Sequence, residues 1–242
     1  MDVLILYIYA YLAGSIPTAY LIGRFVKGID IRNYGSGNVG GTNLFVHVGK
    51  WWTIPLGFVE VFIKGGSPIW IGIVVLNLEV GAGSNYWIFD YLLGINRTSA
   101  TLAGAGLMSI IGNNWSIFLR FQGGRGMSVA MGSFLVMGFY QLLIFIFGCT
   151  IAWYFFRKSA APIAIISLFL LPIWTYLIGQ SNIVIWYFVG VLCIVSLKRL
   201  VSNWTPLPKE MKAYKVLLNR LLRDRDTDTR EQWVYRVPKL EN

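Results

Sequence analysis

The chain has 242 residues, of which 56% are apolar, 16% aromatic and only 13% charged, whereas soluble domains contain about 25% charged residues. This composition excludes an ordinary soluble globular domain, a coiled coil and a disordered chain. The net charge of +10 comes from short clusters of lysine and arginine between apolar runs and from the C-terminal tail, a distribution that indicates membrane topology rather than nucleic-acid binding. The sequence therefore predicts an all-α, polytopic integral membrane protein.

Several apolar runs reach the length of about 20 residues that a membrane helix needs, or come close to it. They are residues 3–26, 51–78, 100–119, 127–156, 160–178 and 183–197. The first run has no basic segment before it and no small-residue cleavage site after it. We therefore expect a retained helix there rather than a signal peptide.

The fourth run decides the number of crossings, because it is long enough for one tilted helix or for two short ones. Two short helices with a break near Gly138 place every cluster of lysine and arginine on one side of the membrane. By the positive-inside rule this side is the cytoplasm, which then holds loops 27–50 and 120–126, whereas 79–99 lies outside. We therefore predict about seven spans, with the N-terminus outside and the C-terminus in the cytoplasm.

The C-terminal tail, 201–242, differs in character from the membrane region, 1–200. Its segment 208–225 has apolar residues at helical spacing, with lysines and arginines between them. This pattern predicts an amphipathic helix that lies on the cytoplasmic leaflet and is attracted to anionic lipid. A solvated helix that binds a partner subunit explains the pattern equally well.

Two predicted cytoplasmic loops are rich in glycine. The first is Gly35-Ser36-Gly37-Asn38-Val39-Gly40-Gly41-Thr42-Asn43, and the second is Phe121-Gln122-Gly123-Gly124-Arg125-Gly126. Glycines let the backbone bend sharply and present N–H groups to a phosphate or carboxylate, although such loops are also found as flexible turns. The first loop lacks the Gly-Lys-Ser/Thr ending of a nucleotide-binding P-loop. Two such loops on one face indicate a phosphorylated ligand bound at the cytoplasmic surface.

Three further ionisable residues are candidates for chemistry. Glu60 and Lys64 lie four residues apart within the second apolar run, where they form either a structural ion pair or a site at which Lys64 meets an anionic substrate. The single histidine, His47, is either a surface residue or an acid–base group, since imidazole titrates near neutral pH. Nothing in the sequence indicates a metal, haem or nucleotide, so we expect no cofactor.

The motifs of this chain strongly resemble those of the bacterial acyl-phosphate:glycerol-3-phosphate acyltransferases, the PlsY family. The first match consists of Tyr11-Leu12-Ala13-Gly14-Ser15-Ile16-Pro17-Thr18-Ala19-Tyr20-Leu21-Ile22-Gly23, Gly28-Ile29-Asp30-Ile31-Arg32 and the first glycine loop. Further matches are Lys64-Gly65 with Pro68, and Gly112-Asn113-Asn114-Trp115-Ser116 with the second glycine loop. The resemblance covers roughly residues 5–200.

The resemblance implies a seven-helix enzyme of phospholipid biosynthesis in the bacterial cytoplasmic (inner) membrane. It implies transfer of a fatty acyl group from acyl phosphate to the 1-hydroxyl of glycerol 3-phosphate, which gives lysophosphatidic acid. The expected partners are these substrates and membrane lipid, without nucleic acid. The candidate catalytic residues are Ser36, Lys64 and, as a replacement acid–base group, His47. The candidate substrate-binding residues are Arg32, Gly35, Gly37, Asn38, Gly40, Thr42, Asn43, Gly123, Gly124, Arg125 and Gly126.

The chain also departs from the family pattern. Valines stand at the positions of an arginine (Val46), an aspartate (Val61) and a threonine (Val129), and Asn113 replaces a histidine. The last family motif is reduced to Ser196-Leu197-Lys198-Arg199, with no histidine or asparagine clearly matched. Two hypotheses follow: an active, divergent acyltransferase, or a catalytically lapsed homologue that serves as a transmembrane subunit of a larger complex. A transporter for a phosphorylated solute is disfavoured, because no inverted repeat is visible.

Overall fold

The computed structural model describes residues 2–78, 97–156, 160–208, 211–227, 233 and 235–237, and all regular secondary structure within these ranges is helical. The α-helices are α1 (Asp2–Ser15), α2 (Thr18–Lys27), α3 (Gly41–His47), α4 (Thr53–Phe58), α5 (Ser67–Leu76), α6 (Arg97–Asn114), α7 (Met127–Met137), α8 (Phe139–Phe156), α9 (Ala160–Leu177), α10 (Asn182–Val201) and α11 (Ala213–Arg223). A π-helix, Val59–Gly66, joins α4 to α5. Most of the predicted outer loop and the Arg157–Lys158 cluster lie outside the described residues.

The described helices include segments that are long and apolar enough to cross a membrane, which confirms the predicted helical membrane fold. Four qualify by length and composition: Asp2–Lys27, Lys50–Leu76, Thr98–Leu119 and Asn182–Val201. Three shorter apolar helices are Met127–Met137, Phe139–Ile151 and Ala161–Leu177. These segments coincide with the runs expected from the sequence, while the number of crossings and their orientation stay predictions.

The long fourth apolar run is broken at Gly138, as the sequence predicts. Helix α7 ends at Met137 and α8 begins at Phe139, with Gly138 in a non-helical conformation (φ −162°, ψ 76°). The Gly138 amide still donates to the Phe134 carbonyl at 2.8 Å, so the hydrogen bonding of α7 continues up to the break. A Cβ at Gly138 would lie 2.8 Å from the Gln141 Oε1, so the side chain of Gln141 fills the space beside the break.

An aromatic cluster forms the centre of the helical core. Phe134 on α7 packs edge-on against Phe188 on α10, with ring centroids 4.9 Å apart. The neighbouring Tyr187 shares a hydrogen bond with the Ser133 hydroxyl, so its polar end is satisfied although it is fully buried. These contacts fix α7 against α10 and with it the loop that precedes α7.

Glycines allow two pairs of helices to approach at backbone distance. A Cβ at Gly14 or Gly112 would clash with main-chain atoms across the contact of α1 and α6, and one at Gly65 or Gly132 would do so between the π-helix and α7. Such small-residue contacts are typical of membrane helices. The Ser15 hydroxyl adds a hydrogen bond to the Gly112 carbonyl at 3.2 Å. The ends of α1 and α6 are therefore held side by side, next to the π-helix.

The C-terminal tail contains the helix expected between residues 208 and 225, over the shorter range of α11. Its Arg220 donates hydrogen bonds to the carbonyls of Leu200 (3.1 Å) and Thr205 (2.9 Å). Arg199 on α10 donates to the carbonyls of Leu221 (2.9 Å) and Ala161 (3.0 Å). The helix is thus fixed to the end of α10 and the beginning of α9.

Candidate active site

The first glycine loop is organised by the side chain of Asn43. This residue lies in α3 and is almost completely buried. Its Nδ2 donates to the carbonyls of Ile31 and Tyr34 at 2.9 Å and to that of Asn38 at 3.1 Å. One buried amide therefore ties three points of the loop together. Asn43 shapes the site by holding the backbone, and its donors are already occupied.

The loop backbone requires glycine at two of the predicted positions. Gly35 (φ +52°) and Gly37 (φ +67°) both adopt the left-handed conformation, which most other residues avoid. Between them lies Ser36, whose half-buried hydroxyl accepts a hydrogen bond from the Asn38 amide at 3.3 Å. The Asn38 Oδ1 is buried without a hydrogen-bond partner among the described residues. Gly40, half-buried, comes just before α3, and Thr42 is exposed in its first turn.

Arg32 links the first glycine loop to the second. Its guanidinium pairs with Asp30 at 2.7 Å, lies 5.2 Å from the centre of the Tyr20 ring and is 3.5 Å from the Gln122 Oε1. The hydrogen bond from Arg32 lowers the pKa of the Asp30 carboxyl below its usual value. The predicted anion-binding arginine is therefore already paired with a carboxylate at the mouth of the loop.

The second glycine loop packs so closely that side chains are excluded at Gly123 and Gly124. A Cβ at Gly123 would clash with the Asn113 carbonyl, and one at Gly124 would lie 2.7 Å from the Val39 carbonyl of the first loop. The Gly124 amide donates to the Asn113 carbonyl at 2.9 Å. The loop ends at Gly126, which is left-handed (φ +73°) and precedes α7. These contacts bring the two predicted loops against each other.

Arg125, the cation of the second loop, is directed toward the C-terminal part of the chain. It is buried, and its Nε lies 2.7 Å from the Asp224 Oδ1. Its two terminal nitrogens donate to the Lys198 carbonyl at 3.0 Å and, more weakly, to the Ser202 hydroxyl at 3.4 Å. In this structure Arg125 fixes the loop to α10 and the tail.

A small polar cavity of about 10 Å³ lies where the two loops meet the helix ends. Its lining combines the turn after α1, the π-helix, the end of α6 and both glycine loops, through Ser15, Ile16, Pro17, Thr18, Val39, Glu60, Lys64, Asn113, Ser116, Leu119, Gly123 and Gly124. Non-helical backbone of this kind is tolerated near a membrane where it lines a wet cavity.

Lys64 supplies a charge to this cavity. The side chain is only 1% exposed, and its Nζ donates to the Asn113 Oδ1 at 2.6 Å and lies 3.4 Å from the Glu60 Oε1. The predicted contact of Glu60 with Lys64 is therefore present, on a π-helix, a geometry often found at functional sites. Asn113, where the sequence departs from the family pattern, holds the lysine in place. A buried ammonium can stabilise an anion that enters the cavity.

The structure brings some of the predicted residues together and separates others. Lys64, Gly123 and Gly124 share the cavity, and Arg32 reaches the second loop through Gln122. Among the described residues, neither Ser36 nor His47 lines this cavity. His47 instead lies at the end of α3 with its ring centroid 5.4 Å from that of Tyr34.

Asn203 is a site residue that the sequence reading missed. Its side chain clamps Gly123, accepting from the amide and donating to the carbonyl, both at 3.2 Å. Lys198 donates to the same Asn203 Oδ1 at 2.6 Å. Ser202 and Asn203 both have left-handed backbone conformations. A polar pair that contains asparagine and follows an apolar run typically marks the end of a helix, and this signal could have identified the position.

The tail also reaches the first loop. The Gly35 amide donates to the Arg236 carbonyl at 2.7 Å, and the Arg236 Nη2 lies 3.8 Å from the position of a Cβ on Gly37. No local pattern in the sequence indicates this contact.

A family model described as glycerol-3-phosphate acyltransferase matches residues 4–207. The chain belongs to this family. It is 32% identical over 239 residues to glycerol-3-phosphate acyltransferase 5 of Dehalococcoides mccartyi, covering 96% of this chain and 93% of that one. It is 44% identical over 129 residues to glycerol-3-phosphate acyltransferase 2 of Moorella thermoacetica, covering 53% of this chain and 55% of the relative.

The fold is that of a solved member of the family. The chain superposes on a crystal structure of PlsY, an integral membrane glycerol 3-phosphate acyltransferase in its glycerol 3-phosphate form, with a TM-score of 0.68 and 24% identity, over 82% of this chain and 88% of that one. The family and the multi-pass helical fold predicted from the motifs are thus confirmed. The similarity to the Dehalococcoides protein extends beyond residue 207 into the tail, because it covers 96% of the chain.

Proposed function

We propose that this chain transfers a fatty acyl group from acyl phosphate to the 1-hydroxyl of glycerol 3-phosphate, producing lysophosphatidic acid at the cytoplasmic face of a bacterial inner membrane. The observation that carries the proposal is the polar cavity in which Lys64 meets the two glycine loops at one end of an apolar bundle.

The reaction requires one bond to form and one to break. The hydroxyl oxygen of glycerol 3-phosphate bonds to the acyl carbonyl carbon, the bond from that carbon to the phosphate oxygen breaks, and inorganic phosphate leaves. The hydroxyl proton passes to the leaving phosphate. Negative charge develops on the carbonyl oxygen and on the phosphate, where fixed donors contribute most to the rate.

We assign to Lys64 the stabilisation of the negative charge that develops during the reaction, because its ammonium lies in the cavity beside Gly123 and Gly124. Glu60, 3.4 Å away, balances the lysine charge until an anionic substrate binds. We assign the acceptor phosphate to the second glycine loop, residues 123–126, whose Gly123 and Gly124 amides are held by Asn203 and Asn113. We assign the acyl phosphate to Ser36, held in the first loop. Much of the remaining rate enhancement comes from positioning the two substrates.

The test is acyl transfer by the purified full chain in nanodiscs, with palmitoyl phosphate and radiolabelled glycerol 3-phosphate. The wild type should form lysophosphatidic acid, and Lys64→Met and Ser36→Ala should each lose at least about 100-fold in kcat/KM, the usual cost of removing a group that stabilises developing charge. Lys27→Met, at the exposed end of α2, is the matched control and should keep full activity.

A negative result in this assay would contradict the proposal. If the wild type forms no product where the Dehalococcoides relative turns over, the acyltransferase proposal is wrong. The lapsed homologue would then be the better reading, and co-purification from native membranes would identify the complex to which it belongs.

A further inference from the structure

Helix α11 is fixed in its rotation about its own axis by two buried arginines. Besides its bonds to the carbonyls of Leu200 and Thr205, Arg220 pairs with Asp226 at 2.5 Å. Arg199 holds the other side of the helix through the Leu221 carbonyl. The buried residues of α11 are Val216, Asn219 and Arg220. The face turned to the protein is therefore mainly polar.

The opposite face of α11 is apolar and uncovered. Tyr214 is 69% exposed and Leu218 53%, with Leu217 and Leu222 also exposed. Successive residues of an α-helix are about 100° apart, so these four side chains form one arc that is opposite the buried face. A helix on the surface of a soluble protein shows the reverse arrangement, with its apolar stripe toward the core.

We propose that this apolar arc of α11 inserts into the anionic cytoplasmic leaflet of the membrane. Lys215, an exposed cation, borders this arc on the same helix, where it can meet acidic headgroups. The position of α11 suits contact with a membrane, because Arg199 ties this helix to the ends of two apolar helices, α9 and α10. The occupant is a lipid surface, since the apolar arc is tied to the ends of apolar helices and is bordered by a cation that matches an acidic bilayer.

The test measures the depth of a nitroxide on α11 in the full chain reconstituted in vesicles. Cys149 and Cys193 are first replaced by alanine, and one label is placed at Leu218→Cys or, as the matched control, at Lys212→Cys. Collisions with oxygen and with a water-soluble nickel chelate are compared in phosphatidylcholine and in phosphatidylcholine with phosphatidylglycerol. The label at 218 should lie about 5–10 Å into the headgroup–acyl boundary, shielded from nickel, and should move deeper with phosphatidylglycerol, whereas the label at 212 stays accessible.

Two outcomes would overturn this assignment. Equal nickel accessibility at 218 and 212 would mean that α11 is solvated. A label at 218 that is shielded from both reagents, with spin–spin coupling between labelled chains, would mean that a second copy covers the arc. A Leu218→Asp variant gives an independent readout: it leaves the arginine anchors in place and should bring a label at Leu222→Cys back into contact with nickel.

A separate observation concerns the first glycine loop. The Arg236 guanidinium reaches Gly37 and lies 5.2 Å from the ring centre of Trp233, a buried residue. The arginines at 32, 125 and 220 are each paired with a carboxylate, whereas no carboxylate of the described residues pairs with Arg236. The tail thus places an exposed cation directly beside the loop.

We infer that Arg236 binds a substrate phosphate at the first glycine loop, an assignment that rests on the proposed acyltransferase function. Its guanidinium offers two parallel donors to a phosphate. Arg236→Met should raise the KM for one phosphorylated substrate by about 10- to 100-fold, the range for a lost hydrogen bond to a charged group, with a smaller change in kcat. Arg236→Lys should restore part of the loss, and Arg24→Met, at the end of α2, is the control.

The two proposals fail in different ways. An inactive wild type would contradict the acyltransferase function itself. An active wild type with an unchanged or lower KM in Arg236→Met would contradict the role of Arg236 alone, and higher activity in that variant would show that the tail obstructs the loop instead.

Discussion

Asp224 holds the second glycine loop through a buried charge. Four cations, Arg125, Lys198, Arg199 and Arg220, are buried together where α10, the loop and the tail meet. Asp224 pairs with the first of them at 2.7 Å. Asp224→Asn is the cleanest perturbation, because the residue is left-handed (φ +54°), a conformation that asparagine tolerates well. The variant removes one negative charge and leaves the shape unchanged.

The magnitude follows from the burial of the pair. Breaking a fully buried ion pair costs about 3–5 kcal/mol. The Arg125 side chain is 7% exposed and that of Asp224 24%, so solvent screens part of the interaction and we expect about 2–3 kcal/mol. For a chain of this size that loss corresponds to a fall in Tm of roughly 4–12 °C. The KM for glycerol 3-phosphate should rise as well, because Arg125 lies between Gly124 and Gly126.

The assay is thermal unfolding in one detergent, combined with steady-state kinetics in nanodiscs. Asp2→Asn, a neutralisation at an exposed N-terminal position, is the matched control and should change neither Tm nor KM. If Asp224→Asn keeps both the wild-type Tm and the wild-type KM, the tail does not hold the loop and the reasoning is refuted.

Two further predictions concern helix packing and pH. Gly132→Ala would place a methyl group against the Val61 carbonyl and should cost about 1–3 kcal/mol of stability, whereas Gly57→Ala, where nothing lies within 4 Å, should gain about 0.5–1 kcal/mol; melting both variants in the same detergent checks this. The pKa of Asp30 is lowered by Arg32, so the pair stabilises the fold above the usual carboxyl pKa of 3.8 and loses its effect as pH falls through the lower folded value. The Tm difference between wild type and Asp30→Asn should therefore be constant from pH 7 to about pH 5 and vanish only on strong acidification; a difference that disappears between pH 7 and pH 5 would contradict it.

Local patterns in the sequence predict the elements of this protein well. The apolar runs mark the helices, and the length of the fourth run together with the basic clusters indicates the break at Gly138. The spacing of Glu60 and Lys64 predicts their contact. These features depend on residues that are close in sequence, where helix geometry alone determines which side chains meet.

The long-range contacts of the site could not be predicted in this way. Arg125 looks like a phosphate ligand in the sequence, but its pairing with Asp224 depends on how the tail folds back. The clamp of Asn203 on Gly123 likewise joins residues 80 positions apart. The periodicity of apolar residues cannot predict such a pairing, because the pairing depends on how whole helices pack against each other.

These contacts also determine when the site can form during synthesis. A chain leaves the ribosome from its N-terminus, and its early parts fold first. The first glycine loop is hydrogen-bonded to the Arg236 carbonyl and the second to Asn203. Both of these residues follow α10 in the sequence and are therefore synthesised after it. A chain inserted as far as α10 lacks these two contacts, although Asn43 already ties the first loop together. We therefore expect the last contacts of the site to form only after translation has passed α10.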